Sequence, residues 1–477
     1  DYLLKKCGLN FKDKKDLVEA FQRLSYQVEE VFIATDPDTE GEKIAFDIFN
    51  HLRFFNPNIK RAEFHEVTPK AFLEALKNPR EVNFNLVKAQ LVRRILDRWV
   101  GFVLSRRLWR SFKKNYLSAG RVQTPVLGWV IKRFFESKKK KARLYFRLND
   151  FPFYFDFEDL EKGKRFFEGL DKLQIKILKK EIKKIPPLPP YRTDTILEDA
   201  SRYFKLSAKM TMQILQELFE RGFITYHRTD STRVSDAGKY LAKNFIEEKF
   251  GKDYLSLRSF KDKEGAHECI RPTRALTLEE FYQLITQKMV KFKTNPFLVA
   301  KLYGLIFRRF IASQMKPAEV EEAEVIFEAG KEKVSQKLVL KIIEPGFNLV
   351  FPLIKACKLE KKVKIEERKF YLVPKEKPFS QGSLIEEMKR KGLGRPSTYA
   401  LIIDHLLQRR YLKEFKNQLF PTRLGILVFN YLQKNFGEYV SEDLTRKLEE
   451  KMDKVEEGKE DYQKILKEFY QIKNLLI

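Results

Sequence analysis

Cysteine is nearly absent from this 477-residue chain: Cys7, Cys269 and Cys357 stand far apart, and no Cys-x-x-Cys pair occurs. Neither a disulfide framework nor a cysteine-based zinc site is expected, and a reducing, cytoplasmic setting fits. No apolar stretch approaches the ~20 residues that a helix needs to cross a membrane, so no membrane association is expected. No Gly-x-x-x-x-Gly-Lys-Ser/Thr loop occurs, which argues against ATP binding through that motif. Methionine is sparse and Lys and Glu abundant, a composition that leans toward a thermophile. Acidic residues are outnumbered, 66 Asp and Glu against 94 Lys and Arg, which leaves a net charge of +28. An excess of that size points to a polyanionic partner, nucleic acid first. The length suits roughly three to five domains. The first residue is Asp rather than Met, so a processed chain or a piece of a longer one is expected.

The stretch with the most chemistry is Gly222-Phe-Ile-Thr-Tyr-His-Arg-Thr-Asp-Ser-Thr-Arg-Val-Ser-Asp236. Ile214, Leu215, Leu218 and Phe219 recur at helical spacing, Gly222 ends that helix, and a short apolar strand is expected to deliver Tyr226. The run from His227 to Thr232 is polar throughout and suits a grip on something charged. A tyrosine is a useful nucleophile where a cation stabilises its phenolate, and Arg228 could also neutralise a phosphodiester under attack. An edge strand running into a Thr/Ser/Asp turn would explain the same residues.

Val31 to Thr35 reads as a strand and Ile44, Ala45, Ile48 and Phe49 as a helix, with Asp36-Pro-Asp-Thr-Glu-Gly-Glu42 between them. Four carboxylates in seven residues repel one another, and Mg²⁺ would relieve that; alternatively, Glu40 and Glu42 simply favour a first helical turn. A helical pattern from Phe84 to Phe135 carries Arg93, Arg94, Arg98, Arg106, Arg107 and Arg110, suited to bidentate phosphate contacts or to a solvated face. His267 and Arg271 could donate to a phosphate, or be structural. Alternation at Phe153, Phe155, Phe157 and again at Leu338, Leu340, Ile342 marks two β-rich blocks around a helical one. That helical block is entered through Pro186-Pro-Leu-Pro-Pro190 and left near Lys316-Pro317, so it is expected to be inserted between two adjacent strands. The last 30 residues read as a packed helix without visible chemistry.

Together these stretches resemble a type IA DNA topoisomerase. Six motifs stand in that family's order: Asp36 to Glu42, Arg93 to Asp97, Ser118 to Gln123, Tyr226 to Thr232, His267 to Thr273, and Gly392-Leu-Gly-Arg-Pro-Ser-Thr-Tyr-Ala400. The acidic loop and Tyr226-His227-Arg228 look most like the topoisomerase half of reverse gyrase.

The resemblance implies a multidomain α/β plus α+β fold, a toroidal core with a truncated TOPRIM domain, winged-helix-like helical domains and a β arch. Its segments would be a TOPRIM-like part at 1–78, helical DNA-binding segments at 79–145 and 379–477, arch segments at 146–190 and 316–378, and an insert at 191–315 carrying the tyrosine. It implies that Tyr226 attacks a DNA phosphate to give a 5′-phosphotyrosine, with Arg228 stabilising the pentavalent phosphorus, and that resealing needs no ATP. Asp36, Asp38 and Glu40 would hold Mg²⁺. Arg93, Asp97, Arg121, Gln123, His267, Arg271, Arg395, Ser397 and Thr398 would shape the site or hold single-stranded DNA.

A helicase-like half upstream would bring ATP and positive supercoiling. The family's acid/base glutamate belongs on a strand before Val31 that nothing here matches, so these residues alone are expected to form the adduct poorly, with Glu42 the nearest substitute. A conventional topoisomerase I, another TOPRIM enzyme such as a nuclease or primase, and a non-catalytic DNA-binding module are the competing readings. Charge generates one expectation by itself: affinity for single-stranded DNA falls with salt, with a log–log slope of about −4 for six phosphate contacts. Titration of a labelled oligonucleotide over a salt series checks it, and a flat dependence contradicts it.

Overall fold

The computed structural model describes residues 14–148, 151–260, 267–359 and 365–476 and separates into two compact units. One joins the chain up to Val122 with Leu432 onward, and the other spans Gln123 to Tyr431. Cys7 lies outside the described residues.

The first unit opens with helix α1 (Lys14–Tyr26), strand β1 (Val31–Ile33), α2 (Thr39–Leu52) and β2 (Ile59–Arg61). The strands pair in parallel, Val31 opposite Ile59 and Ile33 opposite Arg61, so α2 is the crossover that two parallel neighbours require. Ile33, Ala45, Leu52 and Ile59 form the buried seam between them. Helix α3 (Pro69–Lys77) starts with Thr68 as N-cap and proline in its first turn, where no N–H is missed. Helix α4 (Phe84–Phe112) runs for 29 residues, about 44 Å at 1.5 Å per residue. Val92, Leu96, Val100, Leu104 and Leu108 recur every fourth residue and are all buried. The helical pattern read through to Phe135 is broken after Phe112, where Lys113 turns left-handed at φ 53°.

The second unit begins with α5 (Gln123–Glu136) and two aromatic strands, β3 (Lys140–Leu148) and β4 (Phe151–Phe157), followed by α6 (Leu160–Glu168) and β5 (Gln174–Ile185). The insert follows with α7 (Thr193–Phe204), α8 (Ala208–Glu220), α9 (Asp236–Phe250), α10 (Leu278–Thr286) and α11 (Pro296–Ser313). Strands β6 (Ala318–Ala329), β7 (Glu332–Glu344) and β8 (Ile365–Pro374) return the chain to the sheets. One sheet has the order β4-β3-β8 and the other β5-β6-β7. Alternation puts Phe146, Phe153 and Phe155 on one face, and their rings meet Phe327 of the other sheet with centroids 5.1–6.3 Å apart. Strands β5 and β6 pair antiparallel with Ile185 opposite Ala318, so residues 186–317 leave and re-enter through neighbouring strand ends.

Helices α12 (Gln381–Arg390) and α13 (Tyr399–Gln408) then lead into the hairpin β9 (Leu412–Phe415) and β10 (Gln418–Pro421) and helix α14 (Arg423–Phe436). The hairpin closes on two residues, Lys416 and Asn417, both left-handed at φ 48° and 60°, the backbone of a type I′ turn. Helices α15 (Glu442–Glu456) and α16 (Tyr462–Leu476) return to the first unit, where both pack on α4. Among the described residues no helix is long and apolar enough to cross a membrane.

Candidate functional site

The acidic loop is built from its backbone outward. Asp38 caps α2 by accepting from the Gly41 N–H at 2.7 Å, and the Thr35 hydroxyl donates to the Gly41 carbonyl at 2.6 Å. A Cβ on Gly41 would stand 2.0 Å from the Asp36 carbonyl oxygen, so only glycine lets the loop fold this tightly. Beneath it lies Arg61, fully buried, donating to the carbonyls of Ile33, Thr35, Asp36 and Ala62 at 2.8–3.0 Å. Burial lowers the Arg61 pKa below the usual guanidinium value, and Glu42 opposes that shift from 3.4 Å. Arg80 grips both Glu42 oxygens at 2.8 and 2.7 Å, and the Asn83 N–H adds a bond at 2.6 Å.

Burial alone would raise the Glu42 pKa, but these donors and the two arginine charges hold it below the usual carboxylate range. Glu42 is thereby held toward its ionised form and braces Arg61 and Arg80 beneath the loop. Asp36, Asp38 and Glu40 share the loop without closing a cage, for among the described residues no three His, Cys, Asp or Glu side chains gather to hold a metal ion. The donors are hard oxygens, which fits Mg²⁺ held by one or two carboxylates together with water and phosphate.

In the same unit Arg93, Asp97 and Arg121 form one network completed by Glu449. Arg93 Nη2 is 2.7 Å from Glu449 Oε2, Arg121 Nη2 is 3.0 Å from Glu449 Oε1, and Arg121 Nε is 3.1 Å from Asp97 Oδ1. Arg121 is 2% exposed; burial opposes its charge, yet Asp97 and Glu449 raise its pKa. This guanidinium is spent inside the protein and presents no DNA-facing surface. Glu449 lies within the last 30 residues and acts there as a buried brace for the two arginines. Its one sequence signal is a charged residue in the buried helical stripe Leu448, Met452, Val455.

Around Tyr226 the chain is not a strand. Isolated bridges join Ile224 to Pro272 and Tyr191 to Ile270, and the Thr225 N–H bonds the Arg271 carbonyl at 2.9 Å. These links bring the two motifs together, with the Tyr226 and His267 rings 6.1 Å apart. Phe219 of α8 packs edge-on against Tyr226 at 5.2 Å. The polar run that follows is packed inward: His227, Thr229, Ser231 and Thr232 are at most 8% exposed. Thr193, at the start of α7, pins it by donating to the His227 and Thr229 carbonyls at 2.7 and 2.9 Å and accepting from the Thr229 N–H at 2.9 Å. No sequence pattern marked that threonine. Burial, with the Arg228 charge beside it, pushes the His227 pKa down to about 3, so this imidazole is neutral at physiological pH.

Tyr226 itself is 2% exposed, packed among its neighbours in this structure. Arg228 lines a cleft of about 640 Å³ together with His227, Lys209, Lys293 and Ser397, so the tyrosine motif and the Gly392–Ala400 motif face one space. Gly392 and Gly394 are left-handed at φ 69° and 83°, and Thr398 Oγ1 accepts from the Arg395 N–H at 2.9 Å, fixing the turn that presents Ser397. Gln123 begins α5, and its buried Nε2 meets no hydrogen-bond acceptor among the described residues. Arg271 is 3% exposed, bound to Glu268 at 2.8 and 2.9 Å and to Ser235 Oγ at 3.2 Å. It braces the His267 segment and does not face outward.

Comparison with known proteins adds family context. A family model described as DNA topoisomerase matches residues 81–467, and a Toprim domain model matches residues 4–67, reaching well ahead of Val31. Reverse gyrase 2 of Aquifex aeolicus is 54% identical over 477 residues, all of this chain and 41% of that protein. The reverse gyrase of Pyrococcus furiosus is 44% identical over 475 residues, 98% of this chain and 38% of that protein. The chain thus spans about two fifths of the length of these curated relatives. The structure of full-length topoisomerase I from Thermotoga maritima aligns with a TM-score of 0.79 at 37% identity, covering 97% of this chain and 80% of that one.

The acidic-loop scaffold has a definite pH dependence. His65 and Arg80 hold the Glu63 carboxyl down at about 2 against its usual 4.5. A folded-state pKa depressed in this way stabilises the fold fully above pH ~4.5, and the contribution is lost as pH falls toward 2. Glu63→Gln should remove up to about 3 kcal/mol at neutral pH and flatten the fall in thermal midpoint between pH 5 and 2. Parallel melting curves for the two proteins would refute the assignment.

Proposed function

The chain belongs to the type IA DNA topoisomerase family, and from that premise we propose that Tyr226 cleaves one DNA strand and reseals it after strand passage. Tyr226 Oη bonds to phosphorus while the bond to the 3′ oxygen breaks. The phenolic proton leaves and the departing 3′ oxygen takes one up, so the step is balanced and the linkage energy stays in the 5′-phosphotyrosine. Arg228 meets the charge that develops on the phosphoryl oxygens. Thr193 and the 269–273 segment hold the tyrosine loop, and Ser397 and His267 position the strand. Arg93, Asp97, Arg121 and Arg271 act mainly through the pairs that keep these pieces in place.

The observation that carries this reading is the shared cleft of Arg228 and Ser397, two motifs 169 positions apart in sequence, beside a tyrosine gripped on both sides by backbone bonds. Mg²⁺ fits the carboxylates of the Asp36–Glu40 loop and would add positive charge beside a phosphate. The segments 1–78, 79–145 with 379–477, 146–190 with 316–378, and 191–315 serve as metal-binding part, DNA-binding part, arch and tyrosine-bearing insert. Because the longer relatives are reverse gyrases, joining this chain to an ATP-driven helicase-like half would convert relaxation into positive supercoiling.

Tyr226→Phe should abolish DNA that stays attached to protein in a denaturing gel, while single-strand affinity changes less than about threefold. Nicking that persists in Tyr226→Phe, with no adduct in the wild type, would favour a Toprim nuclease instead. Arg228→Ala should slow adduct formation by about 10²–10³-fold and weaken binding far less, because its contact strengthens as charge develops. Equal losses of rate and affinity would make Arg228 an anchor only.

A further inference from the structure

Helix α7 begins at Thr193, which pins the tyrosine loop, and its 12 residues carry the chain about 18 Å. At its far end, the β3 strand, the segment between β8 and α12, and the tip of the β9–β10 hairpin enclose a cleft of about 660 Å³. Eight of its lining residues are Lys or Arg and two are Glu, and it shares no lining residue with the cleft beside Arg228. Four of the cations are met by carboxylates: Arg133 by Glu376 at 3.4 Å, Lys141 and Arg143 by Asp156 at 3.0 and 2.6 Å, and Lys375 by Glu158. Arg202, Lys205, Lys377 and Lys416 are exposed and have no carboxylate within ion-pair distance among the described residues. Glu198 is the one lining carboxylate that stands against these four.

Two of the uncompensated cations are held in place by aromatic rings, Arg202 over Tyr203 at 4.8 Å and Lys416 over Phe415 at 5.4 Å. The walls are already assembled. Asn417 at the hairpin tip donates to the Ser201 carbonyl at 3.3 Å, and a Cβ on Gly382 would stand 2.7 Å from Glu198 Cα, so α12 lies directly on α7. Lys416 keeps a left-handed backbone at φ 48°, an arrangement uncommon for a lysine.

We infer that this cleft is a second binding site for nucleic-acid backbone, separate from the phosphate that Tyr226 attacks. Four uncompensated cations in one concave space repel one another, and a run of phosphates relieves that repulsion. The charged groups that line the cleft are mainly cations suited to phosphate oxygens, so the contact is to the backbone and tolerates sequence. A strand continuing past the tyrosine loop needs about five nucleotides to cover the length of α7 at ~3.4 Å each. The site does not depend on adduct chemistry and stands or falls apart from the proposed role of Tyr226.

The test uses the whole 477-residue chain with Arg202, Lys205, Lys377 and Lys416 replaced by Ala, all exposed positions whose loss leaves the core intact. Binding of 6- and 30-nucleotide single strands is measured over a salt series. On the 30-mer the log–log slope should become shallower by about 3, four contacts at ~0.7 each, and on the 6-mer, too short to occupy the cleft and the tyrosine loop together, it should change less. Replacing the three lysines by Arg should keep the wild-type slope. Without DNA at low salt, the alanine variant should melt higher than the wild type, and it should gain less from added 30-mer. A slope change that appears with length in one strand places the cleaved strand in the cleft, and one that needs a separate strand in trans places a second segment there. Identical slopes for variant and wild type on the 30-mer overturn the inference, and adduct yield on the 6-mer, read separately, reports on Tyr226 alone.

Discussion

A guanidinium removed from water needs partners for its charge, and at three places in this protein a carboxylate supplies one. Glu42 meets Arg61 and Arg80 under the acidic loop, Glu449 meets Arg93 and Arg121 along α4, and Glu268 meets Arg271 beside the tyrosine. In each case the paired charges come from segments far apart in the chain or from opposite sides of a turn, so the pair fixes a loop that has few apolar contacts of its own. Breaking one partner of such a pair typically costs about 3–5 kcal/mol, because the other charge is left buried and alone. A chain with an excess of 28 positive charges therefore spends its scarce acids where they hold shape, leaving the remaining cations for an anion.

The tyrosine is managed differently. Its loop is held in large part by hydroxyl groups and backbone bonds: Thr193 on one side, Thr225 with the 269–273 segment on the other. Thr193 and Thr225 thus keep the loop in register through neutral hydroxyl and backbone bonds. Arg228 is the charge nearest to Tyr226 in sequence, and the neutral His227 packs against both Phe219 and Tyr226, which also touch each other. Tyr226 is 2% exposed, so the cleavage proposed for it requires a movement that admits a strand.

Helix α7 links the two ends of this arrangement. Its first turn fixes the tyrosine loop through Thr193, and its last turn carries Arg202 toward the basic cleft.

Much of the site was legible in the residues themselves. Tyr226 and Arg228, the carboxylate run 36–42 and the Gly392–Ala400 turn are local patterns, and local patterns depend on spacing that the chain carries with it. The alternation of phenylalanines in β3 and β4, the proline-marked entry to the insert and the stop at Gly222 are equally local. What required the folded molecule was every assignment that depends on a distant partner. Whether Arg121 and Arg271 meet a carboxylate, whether the Glu42 carboxyl is held below its usual range, and whether the run 227–232 lies outside or inside are decided by Glu449, Glu268, Arg80 and Thr193. Those partners sit 3 to 328 residues away, and only packing brings them close enough for their charges and hydroxyls to act. The basic cleft belongs to the same class: its lysines and arginines are scattered over some 280 positions, and only the tertiary fold gathers them around one space.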